Sequence, residues 1–196
     1  MDSHFGSVQR RTEQQIERFA QMVRRELGVA PNDRLAMQPV LEFALGDMVD
    51  GAYLAVAPDN EMEGAEGRTD WHRPVITLSA GTYAALSRGD ARARSTAAHE
   101  LGHLLMHTQK PVFHYRSKSH DCRVDPEWQA NAFAAALLMP ADAFRKMKTV
   151  SQAKKTFGVS RGGALRRARG LNVQLFDDTA RGASRKRKGH SFRRTP

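Results

Sequence analysis

His99 and His103 stand four residues apart, with Glu100 directly after the first, in the run Ala97-Ala-His-Glu-Leu-Gly-His-Leu-Leu-Met-His107. On an α-helix, residues i and i+4 lie one above the other. Both imidazoles can then reach a single ion, each at about 2.0–2.1 Å from a ring nitrogen. Glu100 is turned by about 100° from His99. It need not bind the ion, and it can instead take a proton from water as that water attacks a carbonyl. A helix is expected here on independent grounds. Asp90 is an N-cap before Ala91, and the helical pattern continues to about His107, with Ala98, Leu101, Leu104 and Leu105 as its apolar flank. This pattern constrains the fold more than any other feature. It requires a packed helix with one end open to a ligand, and a second element that supplies another donor.

A catalytic zinc takes three protein ligands and keeps one position open. The motif supplies two. Gln109 stands six residues after His103, so the HExxHxxGxxH spacing does not supply the third. His107 is a full turn further along, too far to join both other histidines around one ion. The remaining candidates are His114, His120, Asp121, Asp125 and Glu127, and spacing ranks Glu127 first. Asp125-Pro126 is an acidic cap followed by Pro at the first helical position, and the helix it opens runs to Met139, where Pro140 stops it. Ala130, Ala134 and Ala135 on that helix permit close approach to a neighbour.

The rest of the chain reads as ordinary globular protein. Residues 12–27 place Ile16, Phe19, Ala20, Val23 and Leu27 at helical spacing, with Gly28 as a stop. Residues 51–57 and 74–79 read as strands, separated by an acidic loop through Asp70, and a short helix is expected near residues 82–86. A polar and basic loop follows the HExxH helix from residue 108 to 121. The longest apolar run, residues 132–139, is far short of the roughly 20 residues that span a bilayer, and the first 30 residues hold no signal-peptide core. Cys122 is the only cysteine, which excludes an internal disulfide and a cysteine-rich zinc site; it reads as structural. These features point to a cytoplasmic protein in a reducing compartment with no membrane partner.

The pair of motifs is recognisable. HELGHLLMH at 99–107 and EWQANAFAAALLMP at 127–140 resemble the ImmA/IrrE family of bacterial and phage metallopeptidases, whose second signature is a Glu, then Ala-Asn, Phe-Ala and a closing Leu-Leu-Met-Pro. The resemblance implies an α+β, minimal gluzincin-like zinc peptidase fold: a small twisted sheet packed on the HExxH helix and a second ligand helix. It implies Zn2+ as cofactor, His99 and His103 as ligands, Glu100 as general base and Glu127 as third ligand, with Asp125 the fallback. Many relatives also carry Glu just before Ala-Asn, where this chain has Gln129. His107 also matches a common family residue; it, His114, Tyr115 and His120 are open between two readings, one that orients substrate or steadies an oxyanion and a plainer one as exposed or cap histidines and a core-edge tyrosine. Asn131 would hydrogen-bond a ligand or a backbone group.

Charge is unevenly distributed. Residues 1–140 carry 15 Lys and Arg against 18 Asp and Glu, a balance of −3, whereas residues 141–196 carry 16 against 3, a balance of +13. The expected organisation is a disordered N-terminus (1–10), a metallopeptidase domain (11–140), a helical, helix-turn-helix-like segment (141–176) and a disordered basic tail (177–196). In the helical segment Gly158 supplies the turn, Ser160 caps the second helix, and Ala164, Leu165 and Ala168 form an apolar side. Arg161, Arg166, Arg167 and Arg169 would face phosphates or bases if that helix entered a major groove. Two functions follow as expectations. The first is a zinc endopeptidase whose protein substrate is a DNA-binding repressor or an antitoxin-like regulator. The second is a DNA-associated scaffold in which the peptidase-like fold is not catalytic.

Overall fold

The computed structural model describes residues 8–70, 73–107 and 121–179. Three sequence expectations lie wholly or largely outside them: the disordered N-terminus in its first seven residues, the roles of His114, Tyr115 and His120, and the basic tail from residue 180 onward.

Helix α1 (Glu13–Glu26) starts at a capping box, in which Thr12 and Gln15 satisfy each other's backbone N–H groups, and it buries Ile16, Ala20 and Val23. Gly28 ends it with φ +66°, a left-handed conformation that Gly adopts without steric cost. A short helical stretch then follows that the sequence pattern did not announce: α2 (Met37–Pro39), a π-helical turn (Val40–Ala44) and α3 (Leu45–Met48). Pro39 and Gly46 break its periodicity, yet Leu35, Met37, Leu41 and Leu45 are all buried.

The sheet has three strands in the order β1-β3-β2, with β1 (Tyr53–Ala57), β2 (Gly67–Asp70) and β3 (Val75–Ser79). β1 runs parallel to β3, with Tyr53 opposite Val75, and β2 runs antiparallel to β3, with Gly67 opposite Leu78. β3 is the interior strand, and its Val75, Ile76, Leu78 and Ser79 are buried. β2 corrects the sequence reading, which took this stretch as part of an acidic loop. Gly-Arg-Thr-Asp has no apolar alternation, and it is a strand because β3 offers it a hydrogen-bonding edge.

β3 leads directly into α4 (Ala80–Ser87), capped by Ser79. α5 (Ala91–Met106) follows, capped by Asp90, whose Oδ1 accepts from the N–H groups of Arg92 and Ala93 at 2.8 and 2.9 Å. A 3-10 turn (Cys122–Val124) precedes α6 (Pro126–Leu138), which packs on both α1 and α5. α7 (Ala141–Phe144), α8 (Val150–Phe157) and α9 (Arg161–Gly170) form the C-terminal helical segment. The structure is thus a small open twisted sheet packed against helices, including the one that bears HExxH, with a helical segment at the C-terminal end. One apolar core runs through it from Ile16 to Ala168, and Phe133, Phe144 and Phe157 are fully buried.

Buried arginines join the parts of this core. Arg94, on the first half of α5, donates to the carbonyl oxygens of Leu35 (2.6 Å), Phe157 (2.9 Å) and Gly158 (3.1 Å). It thereby satisfies the end of α8, where Gly158 turns the chain at φ +64°. Burial, and after it the like charges of Arg34 and Arg24, lowers its pKa to about 10, so it stays charged at neutral pH. Arg167 of α9 donates to the Met139 carbonyl at 2.9 Å and pairs with Glu17 of α1 at 2.6 Å. Replacing Arg94 by Met would leave three main-chain acceptors short of a charged donor. The expected outcome is a loss of about 3 kcal/mol or more in unfolding free energy, read from urea denaturation.

Candidate metal centre

The site depends on how closely α5 and α6 approach each other. Gly102, inside the HELGH run, faces α6: a Cβ placed there would lie 3.0 Å from Phe133 Cδ1 and 3.3 Å from the Cα of Ala130. With no side chain at 102 and one methyl group at 130, the two backbones can pack at short range. Ala97, Ala98 and Leu101 complete the apolar side of α5, and all three are fully buried.

That approach brings Glu127, in the first turn of α6, to the two histidines of α5. His99 Nε2 and His103 Nε2 are 2.9 Å apart, and the Glu127 carboxylate lies 3.2 Å from each through its two oxygens. These donors form one group among the described residues in which all ligand atoms fall within 4.8 Å of one another. Tetrahedral coordination with bonds of about 2.0–2.1 Å puts neighbouring donor atoms about 3.3 Å apart. The observed separations are close to that value, so the cluster is positioned to chelate a divalent metal. It runs from buried to open: the side chain of His103 is 7% exposed, that of His99 18% and that of Glu127 56%. A ligand therefore approaches from the Glu127 side.

Burial sets the electrostatics. It pushes the His103 pKa down to about 3, helped by the neighbouring His99 and His107, so this ring is a neutral donor at physiological pH. His107 is lowered as well, chiefly by burial. The Glu100 carboxyl is shifted upward, first by burial, with the charge of Glu127 adding to it; the hydrogen bond from Thr69 and the proximity of His99 oppose the rise.

Glu100 is 7% exposed and is held from the sheet. Thr69 Oγ1, on β2, lies 2.7 Å from Glu100 Oε2 and 3.0 Å from the Glu100 carbonyl oxygen. Gly67 makes room for it, since a Cβ there would meet Glu100 Cγ at 2.8 Å. Sequence reasoning missed both residues. The available signal was a Gly two residues before a hydroxyl residue, and it becomes meaningful only once β2 is known to lie over α5.

The other candidates are placed elsewhere or turned another way. Asp125 caps α6, its Oδ1 accepting from the N–H of Glu127 at 2.9 Å. Asp121 caps the 3-10 turn and pairs with Arg10 and Arg123, each at 3.0 Å. Asn131 Nδ2 donates to the Glu127 carbonyl at 2.8 Å, a backbone contact one turn from the cluster. Cys122 is exposed. His107 is 2% exposed and points inward, its Nδ1 3.1 Å from His103 Nδ1 and its Nε2 3.1 Å from Gln129 Oε1. Of the two readings open for it, toward substrate or structural, the inward orientation fits the structural one. Gln129 was noted in the sequence only as a replaced glutamate, and here it is fully buried beneath the cluster.

Two histidines on a packed helix, joined by a carboxylate from a second helix and with a further glutamate held beside them, form a metal-binding cluster of the HExxH type. The assignment narrows further. Residues 51–169 match the IrrE N-terminal-like domain, which is more than half of the chain, and the chain belongs to the ImmA/IrrE family. A Mycobacterium tuberculosis transcriptional regulator has a similar fold, with a TM-score of 0.50 and 16% identity over 78% of this chain. The chain spans 46% of that protein's length. No curated protein matches it in sequence. No helix among the described residues is long and apolar enough to cross a membrane.

The interhelical contact can be tested directly. Gly102→Val inserts three carbons where a single Cβ is already tight, and the expected result is at least a tenfold loss of metal affinity with helical circular dichroism retained. Equilibrium dialysis against Zn2+ or Co2+ measures it.

Proposed function

We propose that the protein is a zinc-dependent endopeptidase that cuts a specific protein, with His99, His103 and Glu127 as metal ligands and Glu100 as general base. The observation that carries this reading is the convergence of the three donors at near-tetrahedral separations with a fourth, separately held carboxylate next to them. Two imidazoles and one carboxylate suit zinc, although other divalent ions accept the same donors. When bound, the ion would act as a Lewis acid toward the scissile carbonyl and bring the pKa of water near neutrality.

The remaining work falls to side chains of this chain. The Thr69 hydroxyl occupies Glu100 Oε2, which leaves Oε1 to accept a proton from the attacking water. An upward-shifted carboxyl in a buried position is well matched to hold that proton and then deliver it to the departing amide nitrogen. The half-exposed Glu127 leaves the cluster open enough for a polypeptide to reach it. The substrate class is inferred from the family and from the fold shared with a transcriptional regulator: a DNA-binding repressor or antitoxin-like regulator, cleaved in the cytoplasm.

Elemental analysis and a cleavage assay test this together. Wild type should hold one Zn2+ per chain. Glu100→Gln should keep the metal and lose cleavage by about 10²–10⁴-fold, and His103→Ala should lose both. A Glu100→Gln protein that cuts at the wild-type rate would end the mechanism.

A second reading, DNA association through the C-terminal part, draws on its charge of +13. Arg166 and Arg169 are exposed on α9, whereas Arg161 pairs with Asp177 and Arg167 is engaged by Glu17 and the Met139 carbonyl. Two of the four arginines on α9 thus pair within the fold. This favours non-specific phosphate contact over base reading. The full chain should then bind DNA with a steep inverse dependence on salt and little dependence on sequence, in Glu100→Gln as in wild type. A fluorescence-anisotropy titration from 50 to 200 mM salt measures it.

A further inference from the structure

Beneath the metal cluster, three side chains form a line whose hydrogen-bond direction is dictated from one end. Gln129 is fully buried, and its amide nitrogen lies 2.9 Å from the carbonyl oxygen of Gln9 and 2.7 Å from that of Arg123. Carbonyl oxygens only accept, so both contacts require the Gln129 NH2 group as donor. The amide orientation follows: Oε1 is the atom turned toward His107 Nε2, at 3.1 Å. That oxygen in turn only accepts, which requires the proton of His107 to sit on Nε2. In the neutral ring Nδ1 is then a lone pair. His103 Nδ1 lies 3.1 Å from it and must supply the proton of that contact. The tautomer of His103 is thereby determined, with the proton on Nδ1 and the lone pair on Nε2, the atom that faces His99 and Glu127.

We propose that Gln129 is a positioning residue of the metal centre: anchored on the main-chain carbonyls of Gln9 and Arg123, it sets the tautomer of His107 and through it presents the Nε2 lone pair of His103 to the metal. The proposal rests on the metal-site reading above and adds to it a residue with no contact to the ion. Its chemistry follows a general rule, that an imidazole ligand is oriented and made more basic by the acceptor of its other N–H. Here that acceptor is another histidine, and the Gln129 oxygen accepts the proton on its far nitrogen. The anchor also has a structural source. The segment before α1 is stitched to the 3-10 turn by Val8 N–H to the Val124 carbonyl (3.3 Å) and Arg11 N–H to the Arg123 carbonyl (3.0 Å), which holds both terminal acceptors in place.

Two halves of the Gln129 amide can be separated by substitution. Gln129→Leu removes the acceptor toward His107 and keeps similar bulk. Gln129→Glu keeps an acceptor toward His107 and turns its second oxygen to the Gln9 and Arg123 carbonyls, where a protonated carboxyl can still donate to one of them. Zn2+ affinity, read by competition with a chromophoric chelator, should fall about 10–100-fold in Gln129→Leu and clearly less in Gln129→Glu. Long-range proton–nitrogen correlation spectra of histidine-labelled full-length protein give the second readout. Zn2+-loaded wild type should show His103 protonated on Nδ1 and His107 on Nε2, and Gln129→Leu should show a smaller Nε2-protonated share at His107.

A wild-type His107 protonated on Nδ1 would overturn the proposal. So would unchanged Zn2+ affinity in Gln129→Leu, which would assign Gln129 to packing alone. None of these measurements uses a peptide substrate, so a protein that cleaves nothing leaves them intact. Failure of wild type to take up Zn2+ would instead sink the peptidase reading, with the His107 tautomer still decided in the metal-free chain.

Discussion

The contact between Gly102 and Ala130 is the constraint on which the rest of this structure depends. Metal chelation needs donors from two helices within a few ångströms, and two helices with ordinary side chains at the contact pack 8–10 Å apart between axes. Removing the side chain from one partner and trimming the other to a methyl group lets α5 and α6 approach until Glu127 reaches His99 and His103 at 3.2 Å. The same packing puts Gln129, two residues further along α6, on the inner side of the cluster, where it meets His107. One close approach therefore sets both the outer, solvent-facing ligand and the inner, buried support.

The sheet contributes from the opposite side. β2 crosses α5 so that Thr69 hydrogen-bonds Glu100, and the missing Cβ of Gly67 leaves space for the glutamate's own side chain. The two carboxylates of the site thus sit in different surroundings. Glu127 is half exposed among imidazoles, whereas Glu100 is buried and hydrogen-bonded, with its pKa raised mainly by burial. The environment of each carboxylate comes from a different layer of the fold.

Charge inside the core has a structural task as well. Arg94 binds three carbonyl oxygens from two distant parts of the chain, and Arg167 ties α9 to α1 and to the end of α6. A guanidinium presents several donors in a rigid plane, so one side chain can satisfy helix ends that would otherwise be buried without partners. Through these contacts the C-terminal helices are built onto the HExxH helix. Two of the four arginines on α9 act within the protein and not on a partner.

The sequence by itself determined what is local or periodic. The helices α1, α5 and α6 appear within about one residue of where apolar spacing, caps and stops put them, and β3 is nearly as legible, because Gly28, Asp90, Asp125-Pro126 and a β-branched run act over only a few residues. The i and i+4 histidines were equally plain, since helix geometry alone aligns them. Only the tertiary structure decided the rest. The strand at Gly67–Asp70 has no sequence pattern of its own and exists through its pairing with β3. Thr69 and Glu100 are 31 residues apart, Gln129 and Gln9 are 120 apart, and Arg94 and Phe157 are 63 apart. Such contacts leave no local period to read, and His107 shows the consequence. Its spacing allowed a role toward substrate, but the packing of α6 turned it inward, where it lies between a buried amide and His103.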